Sequence, residues 1–215
     1  MSANNFTKQK QLIFKTGNKI KLINKVEYCK SIIADGKELI KTGNESGEIR
    51  VPELKDPKVY ITFKDDVTSF SFAFWNCTSL KSIPANLFAN CPEVTDFYGT
   101  FSKCTSLQSL PTGLFTNCPE VIDFSYTFSG CESIQYIPDG LFSHIPSAFS
   151  FYNTFADCTG LTGESPYTMV NGKKVHLYER KDHPDHFPVA PTDFKFTFRD
   201  CTGLTDYAQI PSDWK

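Results

Sequence analysis

The sequence predicts an α/β fold in which 27-residue repeats form a solenoid, with a parallel sheet and short helical or 3₁₀ return arcs. The first observation behind this prediction is a constant spacing of cysteines. Cys77, Cys104, Cys131 and Cys158 lie 27 residues apart, and Cys201 follows after 43, which a 16-residue insertion explains. One such repeat is too small to bury its own apolar face, so the repeats are expected to stack.

The second observation is a pair of phenylalanines ahead of each of these cysteines. Two phenylalanines four residues apart fit the alternation of a short strand with one buried face. Residues midway between the two, such as Phe72 and Tyr126, are then expected on the same buried side. The pairs are Phe70/Phe74, Phe97/Phe101, Phe124/Phe128, Phe151/Phe155 and Phe194/Phe198.

The third observation is a change of apolar spacing after each cysteine. Apolar residues then recur every three positions, as in Cys104, Leu107 and Leu110, which suits a tight arc or short 3₁₀ turns. A proline such as Pro111 cannot donate a ladder hydrogen bond and restricts the residue before it to extended backbone. One strand and one arc therefore make one coil, and stacked coils would rise by about 4.8 Å each.

These residues resemble a known family. The run from Leu107 through Leu110-Pro111 and Leu114-Phe115 to Cys118 looks like the second half of a leucine-rich repeat. The motif Phe-x-x-Cys-x-x-Leu followed by Ile-Pro resembles the BspA-like repeats of bacterial surface proteins, over residues 68–215. The 27-residue period and the use of Phe in the strand depart from that family's common pattern. The resemblance implies a right-handed coil, display on a cell surface and a non-catalytic role in binding or adhesion.

The N-terminal part, residues 1–67, lacks the repeat and is predicted to form a small antiparallel all-β module that caps the first coil. Its apolar runs predict strands over 11–15, 19–23, 28–34, 49–52 and 58–63, and turn signals separate them at 16–18, 35–36 and 42–47. At the other end of the repeat domain, residues 68–215, Tyr207 and Trp214 are expected to cover the last coil.

The eight cysteines admit three interpretations: packing, disulfide bonds or a metal site. Packing is favoured, because Ile145 occupies the slot that Cys91 and Cys118 hold in earlier repeats. A slot that accepts isoleucine selects for volume and hydrophobicity. No C-x-x-C zinc motif is present in the sequence, and neither a metal nor another cofactor is predicted.

The insertion, at about 162–190, predicts a hairpin with strands at Tyr167–Val170 and 173–178 around Asn171-Gly172. A His- and Asp-rich stretch follows it. This stretch is interpreted as a solvated loop, as a metal site that would support an enzyme, or as a partner-binding protrusion, and the metal site is the least favoured. The candidate residues of the insertion are Tyr167, His176, Tyr178, His183 and His186.

The outward face of the predicted sheet carries two columns of residues. Threonine suits exposed strands, so these columns are either ordinary surface or a flat platform of low charge for a protein or glycan ligand. The first column is Ser71, Tyr98, Ser125, Tyr152 and Lys195, and the second is Ala73, Thr100, Thr127, Thr154 and Thr197. The predicted binding residues are Tyr98, Thr100, Ser125, Thr127, Tyr152, Thr154, Lys195 and Thr197.

Charge and motif content limit the classes of function that fit the sequence. The net charge is −2, and residues 68–160 hold 2 basic against 7 acidic residues, so no nucleic-acid partner is predicted. No run of 18 apolar residues predicts membrane insertion, and no nucleophile or phosphate-loop motif predicts an enzyme. The N-terminus lacks the apolar run of a signal peptide, which leaves an intracellular protein or a surface protein trimmed of its export signal. The resemblance favours the cell surface.

The sequence therefore predicts a non-catalytic binding or adhesion module of a bacterial surface protein. Its ligand would be a protein or a glycan, bound on the outward sheet face. The main alternative is a structural component of a larger surface or phage-like fibre, in which the repeats act as a spacer. A metal-dependent enzyme that uses the His-rich insertion is the least favoured of the three.

Overall fold

The computed structural model describes residues 10–40 and 47–215. The five strands predicted for the N-terminal part are confirmed to within two residues, and one short strand is added. Most of the turn predicted at 42–47 lies outside the described residues. The strands are β1 Lys10–Phe14, β2 Gly17–Ile23, β3 Cys29–Ala34, β4 Lys37–Glu38, β5 Ile49–Leu54 and β6 Lys58–Phe63.

These strands form two antiparallel sheets. One has the order β4-β3-β6-β1-β7, where β7 is Leu80–Ser82 of the first repeat, and the other pairs β2 with β5. The predicted hairpin turn between β3 and β4 is confirmed, with Asp35 and Gly36 both at positive φ. Because β7 pairs with β1, the first repeat is hydrogen-bonded into the sheet of the N-terminal module.

The predicted fold class is wrong. All the paired strands of the described residues run antiparallel, and within 68–161 only β7 is a strand. Parallel contacts between repeats are single-residue bridges, Ser69↔Asp96, Asp96↔Asp123, Asp123↔Ser150 and Ser150↔Asp193, rather than a parallel sheet. Among residues 10–40 and 47–215, helical structure is limited to the 3₁₀ segments Val26–Tyr28, Leu177–Asp182 and Ser212–Trp214. The α/β, leucine-rich-repeat solenoid expected from the sequence is therefore not the fold of this chain.

The expected strands are replaced by consecutive β-turns. The Ala73 amide donates to the Phe70 carbonyl at 2.9 Å, and the Cys77 amide donates to the Phe74 carbonyl at 3.1 Å. Phe72 and Asn76 have φ of +56°, which a strand does not allow. The same two positions have positive φ in every copy, at Gly99/Lys103, Tyr126/Gly130, Asn153/Asp157 and Phe196/Asp200. Six of these ten residues are Gly, Asn or Asp, a turn signal that the interpretation as strands overlooked.

The copies still associate in the predicted 27-residue register. Amides of one copy donate to carbonyls of the next, as from Phe70 to Asp96 at 2.9 Å and from Phe74 to Thr100 at 2.8 Å. At the N-terminal end, the Asn24 side chain donates to the Trp75 carbonyl at 2.7 Å, so the N-terminal module caps the first copy. The N-terminal module and the first copy are thus joined by hydrogen bonds.

Ladders of stacked phenylalanines fill the interior of the repeats. Along one ladder the ring centroids of Phe74 and Phe101 are 5.3 Å apart, those of Phe101 and Phe128 5.7 Å, and those of Phe128 and Phe155 5.4 Å. These rings are fully buried. At the C-terminal end Trp214 is buried against Phe194, 4.5 Å between centroids, as predicted for a residue that covers the last copy.

The insertion is packed against the repeats. Its hairpin is confirmed as β8 Tyr167–Val170 and β9 Lys173–His176, with Asn171 and Gly172 at positive φ. In the 3₁₀ helix that follows, the Arg180 guanidinium is buried and donates to the Phe142 carbonyl at 2.7 Å and, more weakly, to the Ile145 carbonyl at 3.4 Å. Two repeats earlier, the Cys118 thiol makes the equivalent contacts, with the carbonyls of Phe88 at 3.8 Å and of Cys91 at 3.5 Å. Arg180 thus completes a copy that the insertion interrupts.

Candidate functional site: an aromatic stripe

The predicted threonine column does not face solvent. Thr100, Thr127, Thr154 and Thr197 are completely buried, and Ser125 is nearly so. The Thr127 hydroxyl lies 3.0 Å from the Phe97 carbonyl and 2.7 Å from the Phe124 carbonyl, and both can accept its hydrogen bond. The outward orientation predicted for these residues is wrong, because successive turns rotate the side chains differently from an extended strand. The threonines stabilise the packing between copies.

The surface instead carries five aromatic rings in single file, which we call the aromatic stripe: Phe72, Tyr98, Tyr126, Tyr152 and Phe196. Tyr98 and Tyr152 were predicted binding residues, whereas Phe72, Tyr126 and Phe196 were expected on the buried face. Phe72 and Phe196 are about 40% exposed, and the three tyrosines are partly exposed. Centroids of neighbouring rings are 5.2, 5.3, 5.4 and 6.1 Å apart. The stripe crosses all five copies.

The rings alternate between two neighbouring positions of the repeat. Phe72, Tyr126 and Phe196 occupy the turn position with positive φ in alternate copies, and Tyr98 and Tyr152 stand one residue earlier in the copies between. In each copy, the other of these two positions holds a companion residue beside the ring. In the first four copies this companion is small, namely Ser71, Gly99, Ser125 and Asn153, and in the last copy it is the exposed Lys195. A Cβ on Gly99 would lie 2.9 Å from the Phe72 ring, so this glycine leaves space for its neighbour. The sequence signal that was missed is one aromatic residue per copy.

Three of these aromatic residues have a disfavoured backbone conformation. Phe72, Tyr126 and Phe196 have φ of +56°, +57° and +60°, a conformation that costs a bulky residue about 1–3 kcal/mol. Gly99 and Asn153 show that small residues fill the same position in the other copies. The aromatic residues therefore occupy this position at a local backbone cost, and backbone strain of this kind clusters at functional sites.

The stripe also carries hydrogen-bonding groups. The Tyr126 hydroxyl bonds to Tyr152 and to Asn153, and partial burial raises the pKa of Tyr126, with the neighbouring Tyr152 adding to the effect. Asn153 is buried beneath the rings, and its Oδ1 has no hydrogen-bond partner among the described residues. Burial also raises the pKa of Tyr98, and the nearby carboxylate of Asp123 raises it further. Tyr98 and Tyr126 are therefore neutral hydroxyl groups at physiological pH.

A column of carboxylates borders the stripe. The Asp96 carboxylate accepts hydrogen bonds from the Tyr98 amide at 2.6 Å and from the Ser69 hydroxyl at 2.9 Å. Asp123 accepts from the Ser125 amide at 2.7 Å, and Asp193 accepts from the Ser150 hydroxyl at 3.0 Å. We call Asp96, Asp123 and Asp193 the acidic column. Its negative charge is fixed within two or three residues of the rings along the chain.

The cysteines are placed as packing residues. All eight are buried and unpaired. The thiols of Cys104 and Cys131 donate to the carbonyls of Phe74 and Phe101, both at 3.1 Å, and so join neighbouring copies. Desolvation raises the pKa of Cys77 to about 12, and it raises the pKa of Cys104 and Cys131 as well. These thiols are protonated at physiological pH and unsuited to nucleophilic chemistry.

The histidines predicted in the insertion fall into two places. His176 is mostly buried, 3.3 Å from Glu179, 3.4 Å from Glu164 and 3.5 Å from Asp206, and its ring stacks on Tyr178 at 5.2 Å. Burial raises the pKa of Tyr178 to about 12.

His183 and His186 line a separate open cavity of about 480 Å³ with Asp182 and Asp185. Tyr167 is partly exposed, and the Lys174 ammonium lies 4.5 Å from the centroid of the Tyr167 ring. In residues 10–40 and 47–215 no group of three or more His, Cys, Asp or Glu side chains has a metal-holding geometry. The five candidate residues of the insertion thus do not form one site.

Comparisons with protein-family models, curated proteins and solved structures found no match to this chain. The resemblance to BspA-like repeats stays a prediction that rests on the repeat motif. None of the helices in the described part of the chain is long and apolar enough to cross a membrane.

Proposed function

We propose that this chain is a non-catalytic recognition module that binds an extended partner along the aromatic stripe. The observation that carries the proposal is the stripe itself: one partly exposed ring per copy, in contact with its neighbours across five copies. Aromatic side chains supply large contact area at little cost in conformational entropy, and tyrosine adds a hydrogen-bonding group.

The surroundings of the stripe support recognition rather than catalysis. The nearby thiols are buried and protonated, and the histidines of the insertion contact residues outside the stripe. The rings are held in place by their contacts with one another, so little side-chain entropy would be lost on binding. Display on a cell surface remains the prediction that accompanies this proposal.

A binding screen tests the proposal. The purified chain is applied to arrays of glycans and of extracellular proteins, alongside a variant with Tyr98→Ala, Tyr126→Ala and Tyr152→Ala. The matched control is Tyr136→Ala, which removes a tyrosine that is 62% exposed outside the stripe. We expect a ligand that the parent and the control retain and the triple variant loses. A ligand retained equally by all three proteins would contradict the proposal.

A second function, assembly into a larger fibre, is favoured by one observation. In the fourth copy, the amides of Asn153 and Asp157 donate to Lys195 and Arg199 of the fifth copy. Within the described residues, the equivalent amides of Phe196 and Asp200 have no backbone partner, so the last copy presents open donors. Light scattering over a range of protein concentrations tests this function. A monomer at all concentrations would exclude self-assembly through this end.

A further inference from the structure

We infer that the ligand of the aromatic stripe is a linear glycan without acidic groups, bound along the direction in which the copies succeed one another. This inference rests on the proposed function and names the ligand class for the same surface. Four features of the surface lead to it: its repeat, its width, its hydrogen-bonding groups and its charge.

The repeat of the stripe favours a polymer. One ring recurs in each copy, at centroid separations of 5.2 to 6.1 Å, with a small or polar residue beside each ring. A linear glycan also presents one similar unit after another, and each sugar ring has an apolar C–H face that can pack on an aromatic ring. The surface of a globular protein without sequence repeats has no such regular repeat. The geometry therefore matches a polymer of sugar units better than a globular partner.

The width of the stripe also favours a linear glycan. Apart from the exposed Trp75, whose ring lies 6.4 Å from that of Phe72, the stripe is one ring wide. Two residues directly beside the rings, Ser125 and Asn153, are buried. A stable protein interface needs about 800 Å² on each partner with a broad desolvated centre. A single file of rings offers a narrow contact instead, which a chain of sugar rings can follow from Phe72 to Phe196.

The hydrogen-bonding groups at the centre of the stripe suit hydroxyl groups. The Tyr126 hydroxyl bonds to Tyr152 and to Asn153, and the rings of the two tyrosines lie 5.4 Å apart. Each tyrosine hydroxyl can both donate and accept a hydrogen bond. Asn153 Oδ1 lies unpartnered beneath the same rings. Sugar hydroxyls both donate and accept hydrogen bonds, and sugar ring oxygens accept them, so they can complete this network along the stripe.

The negative charge beside the stripe disfavours acidic polymers as ligands. Asp96 and Asp123 are close enough to Tyr98 to contribute to the rise in its pKa, and Asp193 continues the acidic column to the last copy. Two nearby cations are engaged with other groups: Arg199 pairs with Asp157 at 2.7 Å, and the Lys21 ammonium lies 5.0 Å from the Trp75 ring. Lys195 is exposed beside Phe196, but only in the last copy. Along the copies before it, a nucleic acid, a polyuronate or a sulfated glycan would meet the negative charge of Asp96 and Asp123 beside the rings.

The test is a quantitative array of linear glycans in four classes: neutral, amino, uronic acid and sulfated. The whole chain is compared with Tyr126→Phe, which keeps the ring and loses the hydroxyl, with Tyr152→Ala, and with the Tyr136→Ala control. We expect retention of at least one acid-free glycan, about tenfold weaker binding for Tyr152→Ala, and unchanged binding for the control. Tyr126→Phe is expected to bind several-fold more weakly, because the hydroxyl network is broken. Circular dichroism melts show that each variant is folded.

The outcomes separate this inference from the proposed function. Binding confined to acidic glycans, or no binding to any acid-free glycan, would overturn the inference. A protein ligand that depends on the stripe, in the absence of a glycan, would also overturn it while the proposed function stands. A glycan retained equally by Tyr152→Ala and the parent would contradict both, since the stripe would then not be the binding surface.

Discussion

The inner and the outer aromatic residues of the repeats are arranged in opposite ways. Inside, phenylalanines from equivalent positions stack nearly parallel, with interplanar angles of 7°, 2° and 15° along the ladder from Phe74 to Phe155. Outside, neighbouring rings of the stripe meet at 67°, 51°, 64° and 76°, and they come from alternating positions. The inner rings are buried, and the outer rings are partly exposed.

This difference distinguishes the rings that pack the repeats together from the rings for which we propose a role in recognition. A ladder of identical residues in register follows from the repeat alone, because each copy buries the same side chain against the next. Alternation does not follow from the repeat: it requires a different residue in successive copies and places Phe72, Tyr126 and Phe196 on disfavoured backbone. We therefore expect changes inside to alter stability and changes outside to alter binding.

The largest effect is expected from raising the pH, since only the interior holds groups whose ionisation requires unfolding. Burial raises the pKa of Cys77 and Cys201 to about 12, whereas an unfolded thiol titrates at about 8.5. Above that pH the unfolded state binds fewer protons, so the free energy of unfolding falls by about 1.4 kcal/mol per pH unit for each such thiol. Urea denaturation at increasing pH measures this decline. A midpoint independent of pH would contradict the burial of the thiols.

Alkylation gives an independent check of the same interior. At neutral pH we expect iodoacetamide to modify none of the eight cysteines in the folded protein and all eight after denaturation, as measured by mass spectrometry. Rapid labelling of the folded protein would show accessible thiols. Masses that indicate disulfide bonds after denaturation would show that the thiols are paired.

The next effect is the loss of one inner ring. Phe101→Ala removes a fully buried side chain from the middle of a ladder and is expected to lower the free energy of unfolding by about 3–5 kcal/mol. The matched outer variant, Phe72→Ala, removes a ring that is 40% exposed and also relieves a bulky side chain from disfavoured backbone, so its cost is expected to be much smaller. Denaturation curves measure both. Equal losses would remove the distinction between the two sets of rings.

A smaller loss is expected in the insertion. Arg180→Ala leaves the carbonyls of Phe142 and Ile145 without their donor, which costs about 1–3 kcal/mol. Arg180→Met is the control: it keeps most of the buried volume and removes a charge whose pKa desolvation lowers to about 10, so we expect it to cost less. Thermal melts rank the variants. If Arg180→Ala were as stable as the parent, the insertion would not complete the interrupted copy.

The smallest change in stability is expected from Tyr126→Phe. The ring and its contacts remain, and only the hydroxyl bonds to Tyr152 and Asn153 are lost, at a cost of about 1 kcal/mol or less. Its melting temperature measured beside that of the parent checks this value. A large drop would mean that the stripe is mainly a packing feature.

Part of this arrangement could be predicted from the sequence. The 27-residue register, the strands of the N-terminal module and the hairpin at Asn171-Gly172 all follow from local patterns, and they are confirmed. The fold class could not be obtained in this way, because two phenylalanines four residues apart fit both an alternating strand and a pair of turns. The choice depends on φ at positions such as Phe72 and Tyr126, where the residue type argues against the left-handed conformation that it adopts.

The same error displaced the candidate site. Because the turns were interpreted as strands, Thr100 and Thr127 were predicted to face solvent and Tyr126 to be buried. The structure shows the reverse. The buried threonines are satisfied by carbonyls of two neighbouring copies, a contact between residues 30 apart that no local pattern reveals. The role of Arg180 was missed for a similar reason, since its partners lie in the third copy.

The most direct test of the account compares one inner and one outer variant in two measurements. Thr127→Val removes a buried hydroxyl beneath the turns, and Tyr152→Ala removes a ring of the stripe. Each is measured for the free energy of unfolding and for binding to the arrayed glycans and proteins. We predict that Thr127→Val loses about 1 kcal/mol of stability and retains binding, while Tyr152→Ala remains stable and loses binding. If both variants lost stability and binding together, the division between an inner packing surface and an outer recognition surface would be contradicted.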